Sequence, residues 1–223
     1  MAERPSRPPS PATPSSPSVP VPEWEGNACL ALVHEFNERF LELLSQSARL
    51  DAERAPPGFV RIHRGAWLAT DGPARARLSR CPFLLADIHF RSPEWWTLAT
   101  RDGGKPGRSP GPPSLFGPKL GVQVMYEALV LSWHTARWSS RVAGTLLGMS
   151  VSVCAIVAPL GLGQLRHLAT HHHRDLRPRW EHLASFWGPL LAAACRVEPE
   201  PLHDLIRHGI QLLDHESQTP GTL

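Results

Sequence analysis

The sequence predicts a mainly α-helical protein built from two small helical modules. Three observations support this prediction. Apolar residues recur at helical spacing in both halves of the chain, and Gly/Pro clusters separate the helical patterns. Hydrophobic residues make up 42% of the 223 residues, which is enough for a buried core. One short strand is expected in the first module, from Pro82 to Phe90, with a short buried helix as the alternative.

The first 22 residues differ from the rest of the chain. They contain eight Pro and five Ser, and almost nothing large and apolar precedes Trp24. Such a segment cannot bury enough apolar surface to offset the entropy of ordering it, so we expect residues 1–22 to be disordered. It also has no continuous apolar run, and therefore does not resemble a secretory signal.

Charge and cysteine content place few limits on function. The net charge is only +3, too small to predict nucleic-acid binding by itself. Nearly all basic residues are Arg, which is typical of a GC-rich bacterial genome, so Arg clusters carry less weight. The cysteines are far apart, form no C-x-x-C pair and have apolar neighbours, which predicts reduced core residues and a cytoplasmic location: Cys29, Cys81, Cys154 and Cys195.

An uncharged stretch between Arg141 and Arg166 is long enough to cross a bilayer. Two groups of helix-breaking residues, at 148–150 and 159–163, divide it into short pieces. We therefore favour short buried helices and no membrane contact, with a membrane span as the alternative.

The first module is expected at 24–100. Asn27 is a suitable N-cap for an amphipathic helix that runs to about Leu50. A basic stretch follows, and then Pro93 opens a helical turn that carries Trp95 and Trp96. The basic stretch has a single acid, Asp71, against Arg61, His63, Arg64, Arg75, Arg77 and Arg80. Residues 101–119 are rich in Gly and Pro, so we interpret them as a linker.

The second module is expected at 120–216. A helical stripe from Val122 to Ala136 is followed by a helix over 139–147, and Ser150 can cap a third helix ending near Ala158. A tight turn at 159–162 and a fourth helix over 164–171 complete a helix-turn-helix spacing. The last helix starts at Pro201 and has one apolar side.

The two modules show a weak sequence echo. His89-Phe90, followed by Trp95-Trp96, is similar to Arg179-Trp180, followed by Phe186-Trp187, and a long amphipathic helix precedes each. An internal repeat and two unrelated modules both remain open.

Three blocks of the second module resemble the flagellar transcriptional regulator FlhD over residues 125–216. They are Leu147-Gly148-Met149-Ser150 with the following run from Leu160 to Thr170, then Arg179-Trp180, and finally Leu205 to Ile210. The chain departs from that family in its Pro-rich tail, its whole first module and the lack of a Cys near Leu176. The resemblance implies a DNA-binding activator that is not an enzyme. It also implies association as a dimer through helices and an FlhC-like partner subunit.

The helix after Leu162 provides the candidate DNA contacts. Gln and Arg can contact base edges, and Thr and Arg can contact phosphates. The alternative is an ordinary solvated helix end. The candidates are Gln164, Arg166, His167, Thr170, Arg174, Arg177 and Arg179. For a dimer or partner interface, the apolar stripes suggest Met125, Leu129, Trp133, Leu205, Ile210 and Leu213. We also expect Trp96 and Trp187 to be interface anchors.

Other chemistry has little support in the sequence. Three consecutive histidines, 171–173, diverge around a helix and cannot all bind one ion, so no metal or cofactor is expected. Asp87 and His89 could act together, but no nucleophile accompanies them, and no phosphate-binding loop or dinucleotide motif is present. The sequence therefore favours a transcriptional regulator. A protein–protein adaptor that keeps the same fold but does not bind DNA is the alternative.

Overall fold

The computed structural model describes residues 23–50, 58–101 and 113–218. The predicted disordered tail, 1–22, and most of the predicted linker lie outside these residues. The described part of the chain is mainly helical, as predicted. Its helices are α1 (Glu23–Arg49), α2 (Phe59–Ile62), α3 (Arg64–Ala69), α4 (Gly72–Ser79), α5 (Pro93–Arg101), α6 (Pro118–Trp138), α7 (Ser140–Leu147), α8 (Val151–Val157), α9 (Leu162–His172), α10 (Ala184–Ala194) and α11 (Glu200–Gln218). A 3₁₀ turn, His173–Asp175, follows α9, and the two strands are β1 (Ala86–Asp87) and β2 (Arg177–Pro178).

Local sequence signals fix most helix ends. The side chains of Ser139 and Ser150 accept hydrogen bonds from the backbone N–H three residues later and cap α7 and α8. Gly148 ends α7 in the left-handed region, with φ of 67°. The predicted start of α1 after Asn27 is wrong, because the helix begins at Glu23 and Asn27 is an exposed residue within it.

The predicted strand at 82–90 is reduced to two residues. β1 pairs antiparallel with β2, with Ala86 opposite Pro178. The rest of the segment is buried irregular backbone. The Asn37 amide donates to the Phe83 carbonyl at 2.9 Å and accepts from the Leu85 N–H at 2.9 Å. These buried backbone groups are therefore satisfied by a side chain from α1, where a longer strand would have satisfied them through a ladder.

The two predicted modules share one hydrophobic core. In the first half α4 packs on α1, and in the second half α9 packs on α6, while α1 and α6 pack on each other. Each half also sends a helix across to the other. α5 packs on α8 and α9, and α10 packs on α3 and α4. Neither half therefore completes its core alone.

The tryptophans expected at interfaces lie in this core. Trp96 and Trp187 are both fully buried within the single chain. The Trp187 ring lies 6.0 Å from Trp67 and 5.1 Å from Phe59, which belong to the first half. The prediction that Trp96 and Trp187 anchor an external partner is wrong, since they anchor α5 and α10 inside the chain.

Within the described residues, no single helix has the length and apolar character needed to span a membrane. α7 and α8 pass the test of length and composition only as a pair, and the chain bends by 113° between them.

Candidate nucleic-acid interface

The predicted helix-turn-helix is formed by α8, the turn at 158–161 and α9. Trp133, on α6, donates its indole N–H to the Leu160 carbonyl at 2.7 Å and holds the turn in place. Gln164 accepts the Gly161 N–H at 2.9 Å through its side-chain oxygen, so part of this candidate side chain is used to cap α9. The geometry of the unit is thus fixed from both sides of the turn.

α9 has a buried face and an exposed face. Leu165, Leu168 and Ala169 are buried, and α9 packs against α6 and α5. On the other side, Arg166 and His167 are exposed. This arrangement places the first half of the predicted contact set on the surface.

Two of the predicted cations on this surface have no ion pair. The Arg166 guanidinium lies 5.6 Å from the centre of the Tyr126 ring, a cation–π distance that leaves its N–H groups without a carboxylate. Arg174 is exposed in the 3₁₀ turn. The Thr170 hydroxyl donates to the Arg166 carbonyl at 2.9 Å, so its oxygen can still accept but its proton is used.

Arg177 is compensated within the chain. It makes a two-pronged contact with Glu181, at 2.8 and 2.6 Å, and donates to the Pro113 carbonyl at 2.7 Å. A phosphate would have to displace a carboxylate in good geometry. Arg177 therefore remains near the face but is poorly suited to bind phosphate.

Arg179 is not at the surface, contrary to the prediction. Its residue exposure is 3%. The guanidinium donates to the carbonyls of Leu84 (2.9 Å) and Ala86 (3.3 Å) in the first half, and to that of Leu147 at the end of α7. Burial lowers the pKa of Arg179, and the charge of Asp87 opposes that effect. The side chain ties β1 to α7 and has no free donor directed to solvent.

Two further arginines extend the exposed face, and the sequence interpretation missed both. Arg137 lies 4.8 Å from the centre of the Trp133 ring, and that tryptophan holds the α8–α9 turn. Arg141 is exposed on α7. Neither has an ion pair. The signal that could have identified them is the absence of any Asp or Glu from Ala128 to Arg174.

An acid with two histidines lies at the end of α9. Asp175 contacts His172 Nδ1 at 3.2 Å and His89 Nε2, from the first half, at 3.5 Å. Burial raises the pKa of Asp175, but the hydrogen bonds and charges of the two histidines outweigh it and lower the pKa to about 2. His89 also stacks on Trp95 at 4.7 Å. The Asp87–His89 pair considered in the sequence is thus only a local turn, in which Asp87 accepts the His89 N–H.

The predicted interface residues are mostly in the core of the single chain. Met125 and Leu129 are completely buried, and Leu213 is 4% exposed. Trp133 and Leu205 are half-buried. Ile210 is exposed, at 39%. The prediction of an external interface is therefore wrong for the first three, because the apolar stripes of α6 and α11 pack against the chain's own helices.

The remaining surface offers little for catalysis or metal binding. Among the described residues no group of three or more His, Cys, Asp or Glu side chains is placed to hold a metal ion. A charged cleft of about 600 Å³ lies along β1 and β2, and an apolar groove of about 610 Å³ lies between α1 and α6. Burial raises the pKa of Cys81 to about 12. Cys195 is exposed, which corrects the expectation that every cysteine lies in the core.

No protein-family model, no curated protein and no solved structure matches this chain.

Proposed function

We propose that this protein is a DNA-binding regulator of the bacterial cytoplasm and that it contacts DNA through the face formed by α8 and α9. One observation carries the proposal. A helix-turn-helix held in fixed geometry exposes Arg137, Arg166 and Arg174 without ion pairs, in a stretch that contains no acid. The resemblance to FlhD supports the same role, as an activator that works with a further, FlhC-like protein.

The electrostatic argument depends on the distribution of charge. Phosphate binding gains free energy when cations neutralise the backbone and release counterions, and a neighbouring carboxylate reduces that gain. Arg177 has such a neighbour in Glu181, and Arg179 is buried, so both leave the contact set. Arg137 and Arg141 replace them as phosphate contacts.

Sequence preference would come from the first turns of α9. In a helix-turn-helix the N-terminal residues of the second helix approach the base edges. Here these residues are Gln164, Arg166 and His167, all exposed. Arg166 is the candidate for a base contact, because a two-pronged Arg–guanine contact contributes about 1–3 kcal/mol of discrimination.

The test is a fluorescence anisotropy titration of a labelled 20-base-pair duplex over a salt series. We expect wild-type affinity to fall steeply with salt, and Arg166→Ala/Arg174→Ala to reduce the slope of log affinity against log salt by about 1.8, or about 0.9 for each phosphate contact. The matched control is Arg49→Ala/Arg196→Ala. It removes the same charge from exposed positions outside the α8–α9 face and should leave the slope unchanged.

The second candidate function is a protein–protein adaptor, and the apolar groove between α1 and α6 favours it. Leu32, Tyr126, Val130 and Trp133 line this groove, and Leu32 is 40% exposed. If the wild-type protein shows no DNA affinity at low salt, the regulator proposal is wrong and the adaptor remains. Equal salt slopes for the Arg166→Ala/Arg174→Ala variant and its control would contradict the assigned face.

A further inference from the structure

The two halves of the chain are related by a constant offset. Among the described residues, His89 and Trp180 are the only non-glycine positions with positive φ, 47° and 54°, and they are 91 residues apart. α5 and α10 begin at positions 93 and 184, also 91 apart. The buried Trp96 and Trp187 have the same separation. Positive φ is rare for bulky residues, so a coincidence at this spacing is improbable.

The strand pair has the register that an internal two-fold axis requires. With an offset of 91, Ala86 corresponds to Arg177 and Asp87 corresponds to Pro178. The observed pairs are Ala86 with Pro178 and Asp87 with Arg177. Each residue thus pairs with the equivalent of its neighbour, which is the result of rotating one antiparallel strand onto the other about their centre.

The same relation holds for the helices. α1, α3, α4, β1 and α5 follow one another in the order of α6, α8, α9, β2 and α10. The exchange is reciprocal, because α5 crosses onto α8 and α9 while α10 crosses onto α3 and α4. Near the two positive-φ turns, Trp96 donates its indole N–H to the His89 carbonyl at 3.1 Å, and Trp187 donates to the Arg179 carbonyl at 2.7 Å.

We infer that residues 23–101 and 118–194 are two copies of one fold, and that the first copy occupies the place of a partner subunit. The protein therefore works as a single chain and does not need a second copy of itself. This inference turns the weak sequence echo into a repeat with a symmetry axis. It also explains why Met125 and Leu129, the residues predicted to form a dimer interface, are buried inside one chain.

The copies differ where they would meet an anionic partner. The α4 helix has an acid, Asp71, as its N-cap, whereas α9 has Gly161. Arg75 contacts Glu42 at 2.9 Å, and Arg77 donates twice to the Ala194 carbonyl at the end of α10. The first copy has thus spent its α4 cations on holding the fold together.

A one-sided DNA contact follows from this difference, and this part of the inference rests on the proposed function. Only the second copy offers a face with uncompensated arginines and no acid. The ligand is therefore a single asymmetric half-site of duplex DNA bound by one chain, where a symmetric dimer would bind a palindrome.

The single-chain part is tested without DNA. Sedimentation equilibrium of the full chain at micromolar concentration should give one chain, 24.6 kDa. Urea unfolding followed by hydrogen exchange should show that α4 and α9 lose protection together, because each half covers the other's core. A two-chain mass would overturn the inference, as would α9 protection that persists after α4 has exchanged.

The one-sided part is tested by titrating a 12-base-pair duplex and a 24-base-pair duplex of random sequence. We expect one chain to saturate the short duplex. We also expect Arg61→Ala/Arg80→Ala, on the first copy, to keep wild-type affinity, while Arg166→Ala/Arg174→Ala loses about tenfold or more. Equal losses for both variants would overturn one-sidedness. Absence of all DNA binding would remove the proposed function, while the mass and exchange results would still decide the single-chain inference.

Discussion

Replacing Arg179 with methionine separates a structural role for this arginine from a role in DNA binding. Methionine keeps an unbranched stem of similar reach but has no donor. In the wild type the guanidinium donates to the carbonyls of Leu84, Ala86 and Leu147, all in a buried environment. The substitution therefore leaves three carbonyls without this partner and alters little else nearby.

The magnitude follows from these contacts. A buried acceptor left without its partner costs about 1–3 kcal/mol, and hydrogen bonds from charged donors are at the upper end of their range. Carbonyl oxygens have two lone pairs, and the Arg179–Asp87 contact is long, at 3.7 Å, so the three losses do not add in full. We expect Arg179→Met to lower the free energy of unfolding by about 3–5 kcal/mol, the range found when one member of a buried ionic network is removed.

The assay is thermal unfolding followed by circular dichroism, together with urea unfolding. For a chain of this size each kcal/mol shifts Tm by about 2–4 °C, so a decrease of roughly 6–20 °C is expected. Arg174→Met is the matched control, because this exposed arginine should change stability by less than about 0.5 kcal/mol.

The opposite result would refute the reasoning. If Arg179→Met kept the wild-type Tm within 1–2 °C and instead reduced the salt slope of DNA binding by about 0.9, the arginine would be a phosphate contact. The buried position assigned to Arg179 would then be wrong, and with it the link between β1 and α7.

Three further predictions concern other parts of the chain. Asp175→Asn should lower the free energy of unfolding by about 2 kcal/mol at pH 6, because the carboxylate has a depressed pKa, and the difference from wild type should vanish as pH falls from about 4 to about 2; an equal loss at every pH, measured by urea unfolding, would exclude the charged contact. Maleimide labelling of the native protein should modify Cys195 rapidly and leave the buried thiols unreacted, so mass spectrometry that finds two or more fast additions would contradict the assigned burial. Gly209→Ala should cost about 1–3 kcal/mol because its Cβ would lie 2.5 Å from the Phe83 ring, whereas Gly163→Ala, in open space on α9, should be neutral or stabilising; equal urea midpoints for the two variants would count against the close packing of α11.

Local signals in the sequence were enough to predict the helices of the second module. The caps Ser139 and Ser150 and the left-handed Gly148 act within one turn of the residues that carry them, so their effect can be inferred from neighbours in the chain. The strand was predicted too long, because the alternative partner for its backbone groups, Asn37, is more than forty residues away. A pattern of apolar residues indicates burial but does not identify what satisfies the backbone.

The candidate site was predicted less well, for the same reason. An arginine next to Arg177 and Arg174 in sequence suggests a basic cluster, but Arg179 meets its three carbonyls only after β1 and α7 have come together. Likewise, the apolar stripe with Met125 and Leu129 indicated that the helix has a partner and left its identity open. The partner is the first half of the same chain, and the sequence echo was the only trace of it.

Charge shows most clearly what composition can and cannot establish here. A net charge of +3 says little about partners, because a sum does not record where the charges lie. The chain has 20 acidic residues, yet none of them occurs from Ala128 to Arg174, the stretch that forms α7, α8 and α9. In the first half, by contrast, Arg75 has Glu42 as its partner, and Asp71 caps α4. If the two halves are copies of one fold, then the difference between them has arisen in the same structural context. The absence of acids on one copy alone is therefore a property of the surface that α9 presents, and it is the reason to look for an anionic partner there.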